Sequence, residues 1–243
     1  MSIPRLFTNA ALAEGAEVPA AEGQGAYLAQ VLRKRPGDPV RLFNGRDGEW
    51  EGTVASLARD RAMLRAERRL APQRCVPEVT LLLAVLKRDA MEAAVQAAVE
   101  LGAARIVPVL AARSVPDRVN VARLSLIARE AAEQCERMEV PEVTLPVPFA
   151  AALDRWRGGP LFIAAERRGA RPLLAAAAGA APPLGLLVGP EGGFTGAELD
   201  AALTRPFVVA ATLGPRILRA RTAVAAGLAI LMAAAGDWTT PEG

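Results

Sequence analysis

The sequence predicts an α/β protein in two unlike parts: a small β-barrel, then a larger layer of alternating strands and helices. Three observations carry this. Residues 1 to about 70 form short elements punctuated by turn residues. From Val79 onward, apolar runs of strand character alternate with segments of helical period, the pattern of a largely parallel sheet. Between the two lies Ala71-Pro72-Gln73-Arg74-Cys75-Val76-Pro77, whose prolines break both helix and ladder. The expected division is 1–72 and 73–243.

In the first part, a short helix is expected around Ala26 to Leu32, then a turn at Pro36-Gly37-Asp38-Pro39. Val40–Phe43, Trp50–Leu57 and Ala62–Ala66 form a meander, with Asn44-Gly45 and Asp47-Gly48 supplying turn residues that tolerate positive φ. In the second part, Val79–Leu86 is a buried strand. Ala90–Leu101 has helical period and ends at Gly102 in the C′ position. Ile106–Leu110 is the next strand. Val121–Arg137 is a long amphipathic helix, with Leu124, Ile127, Ala128, Ala131 and Cys135 on one stripe. Leu161–Ala165, Leu184–Val188 and Val208–Thr212 are further strands; Thr195–Leu203 and Thr222–Ala234 are helices. The longest apolar stretch, Ala223–Ala235, is shorter than the roughly 20 residues a spanning helix needs, and is expected to be a buried helix.

The chain has no histidine. That excludes a Ser-His-Asp triad, a Cys-His nucleophile, an HExxH zinc site and an imidazole base. Two cysteines, Cys75 and Cys135, cannot make a four-thiolate zinc site within one chain. Two buried free thiols in a reducing cytosol are expected, a single disulfide being the alternative. The net charge is +3, and residues 1–75 carry all of it, with 12 Lys+Arg against 9 Asp+Glu. A small excess of this kind suits a weak phosphate-binding surface, or equally a solvated face. The first residues, Met1 to Phe7, lack the apolar core of a signal peptide, so a cytoplasmic location is expected.

Four segments could carry chemistry. In Val188-Gly189-Pro190-Glu191-Gly192-Gly193-Phe194-Thr195, a buried strand runs into a glycine-rich loop and a helix. Thr195 and Glu198 form a capping box that fixes the helix start. The spacing matches neither a Walker loop nor GxGxxG, so the loop is a ligand cradle of another kind or a tight strand-to-helix turn. Leu213-Gly214-Pro215-Arg216-Ile217-Leu218-Arg219-Ala220-Arg221 puts three arginines before an apolar helix, where they oppose the macrodipole unless something anionic meets them. The segment from Glu133 to Pro141 is a dense polar patch, in which Gln134 and Arg137 face a shared cleft or are simply solvated. The fourth, Arg113-Ser114, follows the second strand of the α/β part.

Together, Val188-Gly189-Pro190-Glu191-Gly192-Gly193-Phe194, Leu213-Gly214-Pro215-Arg216-Ile217-Leu218-Arg219 and Glu133-Gln134-Cys135-x-Arg137 with Pro141 resemble the ribosomal RNA small subunit methyltransferase E family. Val31-Leu32-Arg33, Gly37-Asp38 and Asn44-Gly45 match as well, so the resemblance covers nearly the whole chain. It implies a PUA-like barrel for RNA contact, then a SPOUT α/β domain with a trefoil knot, assembled as a homodimer. The implied reaction is methylation of N3 of one uridine in 16S rRNA of the small ribosomal subunit. The implied cofactor is S-adenosylmethionine, cradled by Leu187, Val188, Gly189, Glu191, Gly192 and Gly193 and by Leu213, Gly214, Ile217 and Leu218. No metal and no membrane are expected. Arg137 and Arg219 are candidates for stabilising charge on the uracil, and Glu133 or Glu191 for proton removal. Arg5, Tyr27, Arg33, Lys34, Arg113 and Arg216 are the expected RNA contacts. The chain departs from the family twice: Arg221 stands where Glu is common, and no histidine accompanies Tyr27. A related SPOUT enzyme with another target atom, or a non-catalytic RNA-binding factor, are the alternative readings.

Overall fold

A computed structural model describes residues 3–58, 61–115, 118–165 and 169–239, which leaves Met1 and Ser2 of the N-terminal segment outside it. The chain divides into two compact units. One comprises Met1–Cys75 with Arg129–Val140, the other Val76–Ala128 with Pro141–Gly243. The first unit therefore takes in a later piece of chain that no linear boundary near residue 72 includes.

The first unit is built on a five-stranded mixed sheet. Its elements are β1 (Arg5–Phe7), β2 (Glu17–Pro19), α1 (Gln24–Ala26, widening into a π-type turn over Tyr27–Val31), β3 (Pro39–Phe43), β4 (Glu49–Ala58) and β5 (Arg61–Ala71). The order is β1-β3-β4-β5-β2, with only β1 and β3 parallel. Register shifts between β4 and β5 mark bulges, which bend and twist the sheet. Leu6, Val18, Leu28, Val40, Leu42, Val54 and Leu64 pack together as its core. The Thr8 hydroxyl donates to the Pro19 carbonyl at 3.4 Å, bringing the two edge strands together. The strand expected at Ala62–Ala66 runs on to Ala71, because Arg68 and Arg69 stay in register with Glu51 and Trp50.

The second unit carries β6 (Val79–Ala84), α2 (Arg88–Glu100), β7 (Arg105–Leu110), α3 (Val121–Gln134, whose last turns belong to the first unit), β8 (Glu142–Val143), β9 (Val147–Pro148), α4 (Phe149–Asp154), β10 (Leu161–Ala164), β11 (Arg171–Pro172), α5 (Leu173–Ala176), β12 (Leu184–Val188), α6 (Gly196–Leu203), β13 (Val208–Thr212) and α7 (Ala220–Ala235). The sheet is parallel in every pairing, in the order β11-β13-β10-β12-β6-β7-β8, and β9 also pairs with β7. All five residues of β12 are buried, as expected of a central parallel strand covered on both faces. α2 ends as expected, with Gly102 at φ +85. α7 buries Val224, Gly227, Leu228, Leu231 and Met232; no helix among the described residues is long and apolar enough to cross a membrane. A side chain at Gly227 would meet Leu186 of β12 at 2.6 Å, so the glycine sets how closely α7 approaches the sheet.

Two expectations change. α3 stops at Gln134, not Arg137, and Glu136 adopts a left-handed φ of +63. Both cysteines are free, but Cys75 is exposed and Cys135 half-buried: Cys75 lies in the linker, where no second layer covers it.

Candidate cofactor cleft

The C-terminal ends of β6, β12, β10 and β13 are neighbours in the sheet, and the loops leaving them are the expected ligand-binding edge of a parallel sheet. A cleft of about 1050 Å³ lies there. Its walls are Ala164 and Ala165 at the end of β10, Val188 to Phe194 from the end of β12 onward, Ile217 to Arg221 before and in α7, Lys87 to Ala90 at the start of α2, and Arg113.

The loop after β12 is fixed from several sides. The Gly193 N–H donates to the Pro190 carbonyl at 2.8 Å, closing a turn in which Gly193 holds φ +69. A Cβ on Gly189 would stand 3.2 Å from the Phe194 ring, which is itself buried against Phe149 with centroids 5.2 Å apart. The capping box is present: the Glu198 N–H donates to Thr195 Oγ1 at 3.1 Å, and the Thr195 N–H to Glu198 Oε2 at 2.8 Å. The other oxygen of Glu198 accepts from the Ala112 N–H at 2.7 Å, tying this helix start to the loop after β7. From that same loop, Arg113 Nη1 donates to the Gly192 carbonyl at 2.9 Å. Glu191 Oε1 accepts from the N–H of Lys87, the N-cap of α2, at 3.3 Å.

The second loop turns at Gly214, with φ +111, where the Thr212 hydroxyl bonds both the N–H and the carbonyl of Gly214. Arg219 is the N-cap of α7 and Arg221 lies in its first turn, which contains no acidic residue. Both are exposed and line the cleft. With Lys87, Arg88 and Arg113 they make five cations against Asp89 and Glu191. The cleft therefore attracts anions.

Of the residues expected to cradle a cofactor, Val188, Gly189, Glu191, Gly192, Gly193, Ile217 and Leu218 line this cleft. Leu187 is packed in the sheet's core, and Leu213 and Gly214 shape the loop without forming its wall. Arg113 and Arg219 are at the cleft, whereas exposed Arg216 is not part of its wall. The sequence reading missed Lys87, Arg88 and Asp89; their position straight after a buried strand was the signal.

The remaining candidates lie in the first unit. Tyr27 and Arg33 are exposed and Lys34 half-buried, within one turn-rich segment after α1. Arg5 is a correction to its expected RNA contact: it is 7% exposed. Its Nε bonds Glu49 at 2.7 Å, and its Nη atoms donate to the carbonyls of Ala132, Glu133 and Arg137 at 3.3, 3.4 and 3.1 Å. Its guanidinium carbon lies 4.6 Å from the Phe43 ring centroid. Arg5 thus binds two carbonyls in the last turn of α3, those of Ala132 and Glu133, and that of Arg137 just beyond it. Glu133 Oε1 accepts from the Phe7 N–H at 3.1 Å and from Gln24 Nε2 at 2.7 Å. Burial raises its pKa, against the lowering effect of those two bonds. Arg137 is paired with Glu139 at 2.6 Å. The polar patch is thus a joint between the end of α3 and the barrel sheet, not a solvated helix end. No group of three or more ligating side chains that could hold a metal occurs among the described residues.

A parallel sheet with a cleft at its strand ends is a ligand-binding architecture that many enzyme classes share; similarity along the chain assigns this one to the RNA methyltransferases. Residues 73–232 match the model of an RNA methyltransferase domain, and residues 22–66 that of an RNA methyltransferase PUA domain. Proteins named ribosomal RNA small subunit methyltransferase E are similar along most of the chain. The one from Rickettsia conorii is 29% identical over 94% of this chain and 95% of its own. The one from Synechocystis is 33% identical over 84% and 68%, and that from Mycobacterium tuberculosis 31% over 88% and 86%. Two solved structures, both with bound S-adenosylmethionine, superpose closely. The Neisseria gonorrhoeae ribosomal RNA small subunit methyltransferase E has a TM-score of 0.87 at 29% identity, covering 98% of this chain and 100% of its own. A putative methyltransferase from Legionella pneumophila has 0.89 at 26%, with the same coverage. The chain belongs to the ribosomal RNA small subunit methyltransferase E family.

Proposed function

We propose that this chain methylates N3 of a uridine in 16S rRNA, using S-adenosylmethionine. The observation that supports this best is the cleft: glycine-rich backbone and apolar walls at the strand ends, rimmed by cations.

The residues present fit the cofactor. The volume of about 1050 Å³ holds a nucleoside-sized cofactor together with an acceptor base. Val188, Leu199, Ile217 and Leu218 offer apolar surface to an adenine face. Beyond the Gly192 carbonyl and the Gly193 N–H, already bonded to Arg113 and Pro190, the glycines at 189, 192 and 193 leave backbone groups that no side chain of their own covers. Bound there, the cofactor supplies a sulfonium methyl, an electrophile that needs no further activation.

The chain's own residues act on the acceptor. Neutral N3 of uridine is a poor nucleophile, because its lone pair is delocalised into the O2 and O4 carbonyls. Loss of its proton leaves an anion spread over N3, O2 and O4. Arg219, exposed at the rim, stabilises that charge. Glu191 receives the proton, directly or through water; Lys87 N–H engages only one of its oxygens. Arg137 and Glu133, the other candidates for these two roles, are engaged in the barrel unit's joint, so the assignment rests on Arg219 and Glu191. Since N3 lies on the Watson–Crick edge, the target base must be unpaired. Tyr27 and Arg33 contribute to RNA contact by stacking and charge, and the enzyme works as a homodimer in the cytoplasm.

The test is methylation in vitro of undermodified small subunits, naked 16S rRNA and tRNA, with the product nucleoside identified by chromatography and mass spectrometry. 3-Methyluridine in 16S rRNA is the expected product. A methyl on a ribose or another base would reassign the target, and no product with intact cofactor binding would refute the reading.

A further inference from the structure

A second cavity, of about 340 Å³, lies in the α/β unit outside the cofactor cleft. Its apolar lining includes Leu86 after β6, Met91 of α2 and Leu124 of α3. Its polar lining sets three arginines, Arg88, Arg118 and Arg123, against one carboxylate, Glu92. Glu92 holds two of them in place: Oε1 accepts from Arg88 Nε at 3.0 Å and Oε2 from Arg123 Nη2 at 3.2 Å. These bonds lower the pKa of Glu92, so it stays ionised.

Unmet capacity remains. Arg123 Nε is buried without an acceptor among the described residues. Asn120 caps α3 by accepting from the Arg123 N–H at 3.0 Å, and the first turn of that helix carries no acidic residue. Two arginines held by Glu92 and a third, exposed Arg118, give the set a net charge of +2, which attracts an oxyanion. The apolar side calls for a flat group; a methionine thioether makes favourable contacts with aromatic rings. Base plus phosphate meets both demands. Arg88 lines this cavity and the cofactor cleft alike, so a group held here is a near neighbour of one held there.

We propose that this cavity is a second nucleotide subsite, which binds a nucleotide of the RNA strand close to the one that is methylated. Its base lies against Met91 and Leu124, and its phosphate meets Arg118 and Arg123. The inference rests on the RNA substrate proposed above and adds where the strand runs.

The experiment uses the full chain, a fluorescein-labelled pentauridylate and unlabelled UMP. Arg118→Glu, an exposed change, should weaken pentauridylate binding about tenfold and reduce the salt slope by about one. Arg123→Lys, which keeps the charge but removes Nε, should weaken it less. Cofactor affinity by calorimetry should not move in either variant, while KM for rRNA rises. Wild-type pentauridylate affinity and rRNA KM in both variants would overturn the subsite while leaving the methyltransferase reading intact. A changed sedimentation coefficient in Arg118→Glu with unaltered RNA affinity would assign the cavity to a protein contact and overturn it too. UMP that binds at an Arg118-dependent site without displacing pentauridylate would make it a free-nucleotide site, with the same consequence. A wild-type enzyme that methylates no rRNA would bring down both readings together.

Discussion

The two units both gather arginines, and the groups differ in what meets them. Arg5 in the barrel unit is buried, paired with Glu49 and bonded to carbonyls in and just after the last turn of α3. Arg219 and Arg221 in the α/β unit are exposed, at a helix start without an acidic residue, and have no side-chain partner among the described residues. An arginine whose fork is filled from within the protein holds the fold. One that faces a cleft with its donors unfilled is available to a ligand. The sharpest way to break this contrast is to remove Arg5. Arg5→Ala leaves Glu49 and the three carbonyls without their cation. It should cost about 3–5 kcal/mol, since losing one partner of a buried pair strands the other. Urea unfolding would read this as a lower midpoint; an unchanged midpoint would show that Arg5 holds nothing.

The opposite arm is Arg219→Ala. Here stability should not change by more than about 0.5 kcal/mol, as for exposed positions in general. The turnover number should fall about 100-fold, the usual scale for losing one donor to a developing oxyanion. Single-turnover methylation at saturating cofactor separates the two quantities. A variant that loses stability and keeps its turnover would put Arg219 with Arg5.

The same contrast explains what was legible in the sequence. Two walls of the cofactor cleft, Val188–Phe194 and Ile217–Arg221, belong to contiguous stretches of strand, glycine-bearing loop and helix start, so local reading reaches them; the glycine-free wall from Lys87 to Ala90 escaped it. The bounds of β12 and β13 match residue for residue, and the capping box at Thr195 is where the sequence places it. The joint in the barrel unit joins residues far apart in sequence, Arg5 to Ala132, Glu133 and Arg137 and Glu133 to Phe7, and no periodicity carries such a pairing. The helical pattern through Arg137 runs past the turn whose carbonyls Arg5 binds. β1 and β2 have three residues each, and β8, β9 and β11 two, too short to show alternation. A cation set beside apolar Leu6 and Phe7 was the one clue that Arg5 is pinned rather than solvated. Chain threading is likewise a global property: the expectation of a trefoil knot rests on the family resemblance alone.

Within the α/β unit, Thr195→Ala tests how far the cleft depends on its own internal scaffold. The hydroxyl caps α6 and also donates to Glu198 Oε2, whose other oxygen holds the Ala112 N–H. Loss of the cap should cost about 1 kcal/mol. Cofactor affinity should fall several-fold as the loop loosens, with turnover at saturation little changed. Equal affinity in both proteins would mean that Arg113 and the Gly193 turn hold the loop unaided.

The smallest expected effect lies in the barrel joint and depends on pH. Burial raises the pKa of Glu133 above its unfolded value, so the folded protein binds this proton more tightly than the unfolded chain does. The contribution of that group is therefore most favourable in acid. It is lost as pH rises from the ordinary carboxylate range, about 4, through the raised folded value. Asp47 works the other way: bonds from the Leu12 N–H and Asn44 lower its pKa, and its contribution disappears as pH falls. Glu133→Gln keeps an acceptor for the Phe7 N–H and cannot ionise. Relative to wild type, the variant should therefore gain stability between pH 4 and pH 7, by about 1 kcal/mol or less. Parallel urea titrations at several pH values read the difference directly. A gap that is flat with pH would mean that the two hydrogen bonds to Glu133 fully offset its burial, and a gap that moves the other way would mean that they outweigh it.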